Sequence, residues 1–117
     1  VDKIGFKKLV VWQKAFLLAE KVYLLTNRFP KEEKFGLVQQ MRRAAVSIVS
    51  NIAEGYGRKS EKEYSQFLSI SYGSVCELET QYLLGVRLEY AGVCEDLEAL
   101  MKEVGAMLYT MGRGVGK

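Results

Sequence analysis

The segment LVQQMRRAAVSIVSNIAE, residues 37–54, decides the fold. Its apolar positions Leu37, Met41, Ala44, Ala45, Ile48 and Ile52 recur at the spacing of one helix face, and no strand-like alternation competes with them. Upstream, Pro30 suits a first helical position, where a missing N–H costs nothing, and Glu32 and Glu33 suit the positive end of the helix dipole. Downstream, Gly55 and Gly57 stand where a helix terminator is wanted. The spacing predicts a helix over about 31–54.

The same period extends to both sides. Over about 10–27, Trp12, Ala15, Phe16, Ala19, Val22 and Tyr23 form a core stripe, while Leu17, Leu18, Leu24 and Leu25 fall off it. That second apolar surface needs covering, by another helix or another copy of the chain. Ser60 followed by Glu63 is a capping-box pattern that opens a helix over about 61–90. Its stripe is Tyr64, Phe67, Leu68, Ser71, Val75, Leu78 and Tyr82; Gly73 and Ser74 suggest a close helix crossing, and Gly92 is a plausible stop. A shorter, Met-rich helix over about 96–111 presents Leu97, Leu100, Met101, Val104, Leu108 and Met111. Short connections make sequential helices antiparallel neighbours, so the expected fold is all-α, an antiparallel up-down-up-down four-helix bundle in one domain over 1–117.

Composition agrees. The 117 residues are 49% hydrophobic and 26% charged, as expected for a globular chain rather than a disordered one, and contain one proline. The net charge is +3, unevenly spread: residues 1–62 hold 13 Lys/Arg against 6 Asp/Glu, a net +7, and residues 63–117 hold 4 against 8, a net −4. Such asymmetry marks a polyanion-binding face or two helix layers that attract one another. Cys76 and Cys94 are read as small buried apolar residues. With no signal-peptide pattern and no apolar run of transmembrane length, the expected setting is a reducing cytoplasm, away from any membrane.

The chain has no histidine, which excludes Ser-His-Asp and Cys-His catalysis and the Glu-x-x-His pairs of a di-iron bundle. Glu77 and Glu79 point to different sides of their helix and share no metal. No cofactor or metal is expected, and no enzyme activity. The glycines before Arg58 and Lys59 fit a basic turn better than a nucleotide site, since no phosphate-loop pattern is present. On the second helix, Arg43, Ser47, Asn51 and Glu54 share a polar stripe beside the core, with Glu77 and Thr80 on the third helix as candidate partners. The stripe reads as an internal or inter-subunit hydrogen-bond network, or as direct ligand contacts. Lys7, Lys8, Lys14, Lys21, Arg42, Arg58, Lys59 and Lys62 are the side chains that would contact phosphate, unless they simply solvate a helix face.

Several stretches carry a family resemblance: Val11-Trp-Gln-Lys-Ala15, Leu25-Thr-Asn-Arg-Phe-Pro30, Phe35-Gly-Leu37, Arg42-Arg-Ala-Ala-Val-Ser-Ile48 and Asn51-Ile-Ala-Glu-Gly55. Gly57-Arg-Lys-Ser60, Phe67-Leu68, Gly73-Ser74 and Glu77-Leu-Glu-Thr80 complete it, over roughly residues 10–90. The chain resembles the bacterial 23S rRNA-intervening sequence proteins, also called four-helix bundle or S23 proteins. More distantly, it is similar to the accessory variability proteins of diversity-generating retroelements, which are basic nucleic-acid binders. The resemblance implies an antiparallel bundle and a ring-like homo-oligomer, a homopentamer. The functional expectation is a non-enzymatic oligomer that binds RNA or DNA through a basic surface, with a protein-interaction scaffold as the alternative.

Overall fold

A computed structural model describes residues 5–114. Four α-helices, α1 (Val10–Thr26), α2 (Leu37–Tyr56), α3 (Glu61–Arg87) and α4 (Glu95–Gly114), are joined by short connections, with 3-10 turns at Gly5–Lys8 and Lys31–Glu33 and no strand among the described residues. The fold is all-α.

The boundaries differ from the sequence reading where local chemistry overrides periodicity. Pro30 starts only the 3-10 turn, and α2 waits until Leu37 because Gly36, at φ −113° and ψ −110°, breaks the chain's path. The Glu33 carboxylate then does the work of a cap: it accepts from the Leu37 N–H at 2.9 Å and from the Tyr90 hydroxyl at 2.9 Å. These two bonds, the backbone one first, hold the Glu33 carboxyl below its usual range. At the far end of α2, Gly57 caps while Gly55 lies inside the helix. Ser60 caps α3 as expected, its hydroxyl accepting from the Glu63 N–H at 3.1 Å. α3 stops at Arg87 rather than near Tyr90: the Tyr90 N–H reaches the Gly85 carbonyl and the Glu89 N–H reaches that of Val86, a Schellman closure. Glu89 sits at φ 66°, so the reversal expected at Gly92 falls on a glutamate.

The core stripe of α1 is rotated from the expected one. Val11, Ala15, Leu18, Val22 and Leu25 are buried, whereas Phe16 and Tyr23 are exposed and Trp12 is half-buried against Phe6 and Phe16. An almost uniformly apolar helix satisfies two stripes by period alone. The slimmer aliphatic side is the one that fits between α2 and α4, with each fully buried Leu or Val contributing about 1.5–3 kcal/mol. Cys76 is exposed and Cys94 half-buried, against the expectation that both are core residues. Cys76 falls just outside the arc that α3 buries through Leu68, Val75, Leu78 and Tyr82.

α1 packs on α2 and α4, α2 on α3, and α3 on α4. Along the longest of these seams residue numbers fall on α3 as they rise on α2. Leu37 lies by Gly85, the Ser47 and Ser74 hydroxyls meet at 2.8 Å, the Ser71 hydroxyl donates to the Ile48 carbonyl at 2.8 Å, and Gly55 lies against Phe67. The close crossing is made by Ser71 and Ser74, not by Gly73, where an added Cβ would meet nothing within 4 Å.

Two glycine substitutions separate helix propensity from packing. At Gly55 a Cβ would stand 2.6 Å from the Phe67 Cβ, which has no rotamer to escape into. Gly55→Ala should therefore destabilise the protein, overpacking costing about 1–3 kcal/mol against the helix preference of about 0.5–1 kcal/mol for alanine. Gly73→Ala should stabilise it by about 0.5–1 kcal/mol. Urea unfolding of both variants checks the pair of signs, and equal signs would contradict the seam described.

Candidate functional site

Three regions gather the residues singled out by sequence. The first is the basic set, which the fold disperses. The Lys14 ammonium pairs with Glu103 of α4 at 3.0 Å. Arg58 pairs with Glu54 at 2.7 Å and lies 4.9 Å from the Phe67 ring centroid. Arg42 clasps the end of α1: its Nε donates to the Thr26 hydroxyl at 2.9 Å and an Nη to the Asn27 side-chain oxygen at 2.9 Å, while the guanidinium lies over Tyr23 at 4.5 Å. Lys21 is half-buried, and Lys59 and Lys62 are exposed in and after the α2–α3 turn. Lys21, Lys59 and Lys62 enter no ion pair among the described residues.

The second region is the polar stripe of α2. Asn51 donates to the Ser47 carbonyl at 2.8 Å and to its hydroxyl at 3.0 Å, and Ser47 joins Ser74 on α3. Thr80 bonds back to the Cys76 carbonyl at 2.9 Å and does not meet Asn51. Glu54 turns to Arg58. Arg43 and Glu77 line one groove between α2 and α3 together with Gln40, Ser47 and Gln81, yet neither has an opposite charge within 4 Å among the described residues. The helix–helix contact that carries the stripe is thus Ser47–Ser74: the sequence sets Ser47 on the stripe and Ser74 at a close crossing but does not join the two.

The third region is the outer surface. Phe16, Tyr23, Leu24 and Val46 are exposed around a groove of about 590 Å³ between α1 and α2, floored by Ala19 and Val49. A second groove of about 590 Å³ adjoins it, sharing Tyr23, Val46 and Ser50, and is lined further along by Lys34, Phe35, Arg42 and Arg43. Phe35 is 82% exposed. The exposed apolar surface anticipated on α1 exists, built from Phe16, Leu17, Tyr23 and Leu24, while Leu18 and Leu25 belong to the core.

A groove of about 620 Å³ between α3 and α4 holds the rings of Tyr72, Tyr82 and Tyr109. Tyr82 is structural: its hydroxyl accepts from the Cys94 N–H at 2.7 Å, capping α4, and donates to Glu98 at 2.9 Å. Burial chiefly, and the Glu98 carboxylate next to it, push its phenol above the usual value. Among the described residues no cluster of three metal-ligating side chains occurs, and no helix is long and apolar enough to cross a membrane.

Four packed helices with grooves between them place the chain among all-α helical proteins. It belongs to the 23S rRNA-intervening sequence protein family, which matches residues 7–110. No curated protein sequence matches it. Among solved structures it is similar to a protein of unknown function from the S23 ribosomal protein family of Bacteroides thetaiotaomicron, with a TM-score of 0.76 and 24% identity over 89% of this chain and 99% of that one. That likeness carries the fold.

The sorting of basic residues by contact makes a prediction. Arg42→Met should lower stability by about 1.5–3 kcal/mol, since hydrogen bonds to a charged group at the end of α1 are lost. Lys59→Gln should change it by less than about 0.5 kcal/mol, as for any exposed side chain without partners. Thermal unfolding of the two variants measures the contrast.

Proposed function

We propose that this protein is a non-enzymatic, self-associating helical module, a single up-down-up-down antiparallel bundle that works by assembly. One observation carries the reading: Phe16, Tyr23, Leu24 and Val46 are exposed together along the α1–α2 groove. Single exposed apolar residues are ordinary, but a contiguous apolar patch marks an interaction surface. The falling residue numbers along the α2–α3 seam support the antiparallel order. The family resemblance supports closure into a ring of five copies, and the two free thiols suit a reducing, cytoplasmic setting.

A second reading, contact with RNA or DNA, rests on Lys59 and Lys62, exposed beside Arg58 at one end of α2 and α3. It draws less support than assembly because Lys14, Arg42 and Arg58 have intramolecular partners. A protein partner on the same apolar patch is the scaffold form of the assembly reading.

Native mass spectrometry of the full chain should give a multiple of 13.2 kDa, five copies for the closed ring. Leu24→Glu should reduce it to the single-copy mass while far-ultraviolet circular dichroism stays helical. A single-copy mass for the unsubstituted protein at micromolar concentration would refute the proposal. A labelled RNA hairpin and a DNA duplex, titrated into the same samples, test the second reading: phosphate contacts make affinity fall steeply with salt. Absence of binding at low salt would remove it.

A further inference from the structure

We propose that the outer face formed by α3 and α4 is the socket for the α1–α2 face of a second copy, so that copies join side by side, all pointing the same way. This rests on the assembly reading above and deepens it by naming what covers the apolar groove of α1 and α2. α1 touches α2 and α4, and α3 touches α2 and α4, with no contact between α1 and α3 or between α2 and α4 among the described residues. The helices therefore stand in chain order around the core, and the α1–α2 and α3–α4 faces look out on opposite sides.

The two faces carry opposite charge. The adjoining grooves of α1 and α2 are lined by Lys34, Arg42 and Arg43 against one carboxylate, Glu20. The groove of α3 and α4 is lined by Glu79 and Glu98 against one ammonium, Lys102. The halves of the chain that supply these faces have the same signs, +7 over residues 1–62 and −4 over residues 63–117. Complementary potentials favour association and fix its register, whereas like charges brought together oppose it. An α1–α2 face docked on its own copy sets cations against cations; the α3–α4 face gives them carboxylates.

Apolar and charged groups also follow the same order along both faces. Phe16 shares its groove with Val49 and Ser50, at the level where Ile48 meets Ser71, and beside Ser71 stands Tyr72 with its ring 5.6 Å from that of Tyr109. The next level has Tyr23 and Val46 on one face and, beside Ser74 and Val75, Cys76 and Ala106 on the other. One turn further come Arg43 and Glu79, both exposed. Last, near the level where Leu37 lies by Gly85, the exposed Phe35 projects from one face and the exposed Leu83 from the other. Aromatic meets aromatic, cation meets carboxylate and Phe35 meets Leu83 only if two copies lie parallel. A contact between two different faces is heterologous, and each copy keeps one free face for the next.

Two variants of the full chain each disable one face. Leu24→Glu places an acid on the α1–α2 face, where the acidic socket must close over it. Ala106→Arg places a bulky cation in the socket, where the basic face must enter; Ala106 is exposed, so the helix tolerates it, and far-ultraviolet circular dichroism checks that. Mass is read by sedimentation equilibrium at about 100 μM, concentrated because a lone pair lacks the closure that strengthens a ring. Each variant alone is expected near 13.2 kDa, and an equimolar mixture at twice that, since Ala106→Arg keeps an intact α1–α2 face and Leu24→Glu an intact socket. If Ala106→Arg kept the full mass of the unsubstituted assembly, or if the mixture stayed at the single-copy mass, the socket would be overturned while assembly itself stood. A single-copy mass for the unsubstituted protein would overturn both.

Discussion

The structure depends on how closely α2 can approach α3. Along that seam the side chains are small or hydroxylated: Ser47 and Ser74 bond to each other, Ser71 is fully buried with its hydroxyl on the Ile48 carbonyl, and Gly55 admits Phe67. A buried hydroxyl without a partner costs roughly 1–3 kcal/mol, so these contacts fix one register of the two helices as well as permitting it. Sliding either helix by one turn would break the Ser47–Ser74 and Ser71–Ile48 bonds and part Gly55 from Phe67. Ile48, Ile52, Leu68, Val75 and Leu78 then fall into one core with Met41 and Met101.

Other elements are tied to this pair by single, identifiable clasps. Arg42 holds the end of α1, Glu33 joins the start of α2 to Tyr90 beyond α3, and Tyr82 caps α4. Phe29 fills the space over Gly85 and packs on Tyr90 with ring centroids 5.5 Å apart, which closes that end of the molecule. Each clasp uses a polar group already committed within the chain. Among the described residues, the apolar groove of α1 and α2, the groove of α3 and α4, and Lys21, Lys59 and Lys62 are not taken up by these clasps.

Much of the fold was legible in the sequence because the core of α2, α3 and α4 repeats at the helical period on an otherwise polar background. α1 differs in phase from its sequence reading, since Trp12, Phe16 and Tyr23 and Val11, Leu18 and Leu25 satisfy the same period, and packing against α2 and α4 buries the second set. The late start of α2 was hidden because the glutamate at 33 caps through its side chain from an unusual distance upstream. Of the groove, Arg43 and Glu77 were legible as polar residues seeking partners. Gln81 was not: a glutamine four residues after a glutamate reads as helix surface, yet it is half-buried in the groove beside Arg43 and Glu77. The basic set was legible as charge but not as surface, because sequence does not reveal that Glu103, Glu54 and the end of α1 take up Lys14, Arg58 and Arg42.

If the α2–α3 seam is the element on which the rest is assembled, it must also be the last to open. Native-state hydrogen exchange measures this directly, residue by residue. The amides of residues 44–52 in α2 and 68–78 in α3 should exchange only through global unfolding, with α1 opening at lower free energy. Protection in α1 equal to or greater than that of the seam would contradict this account of how the protein is held together.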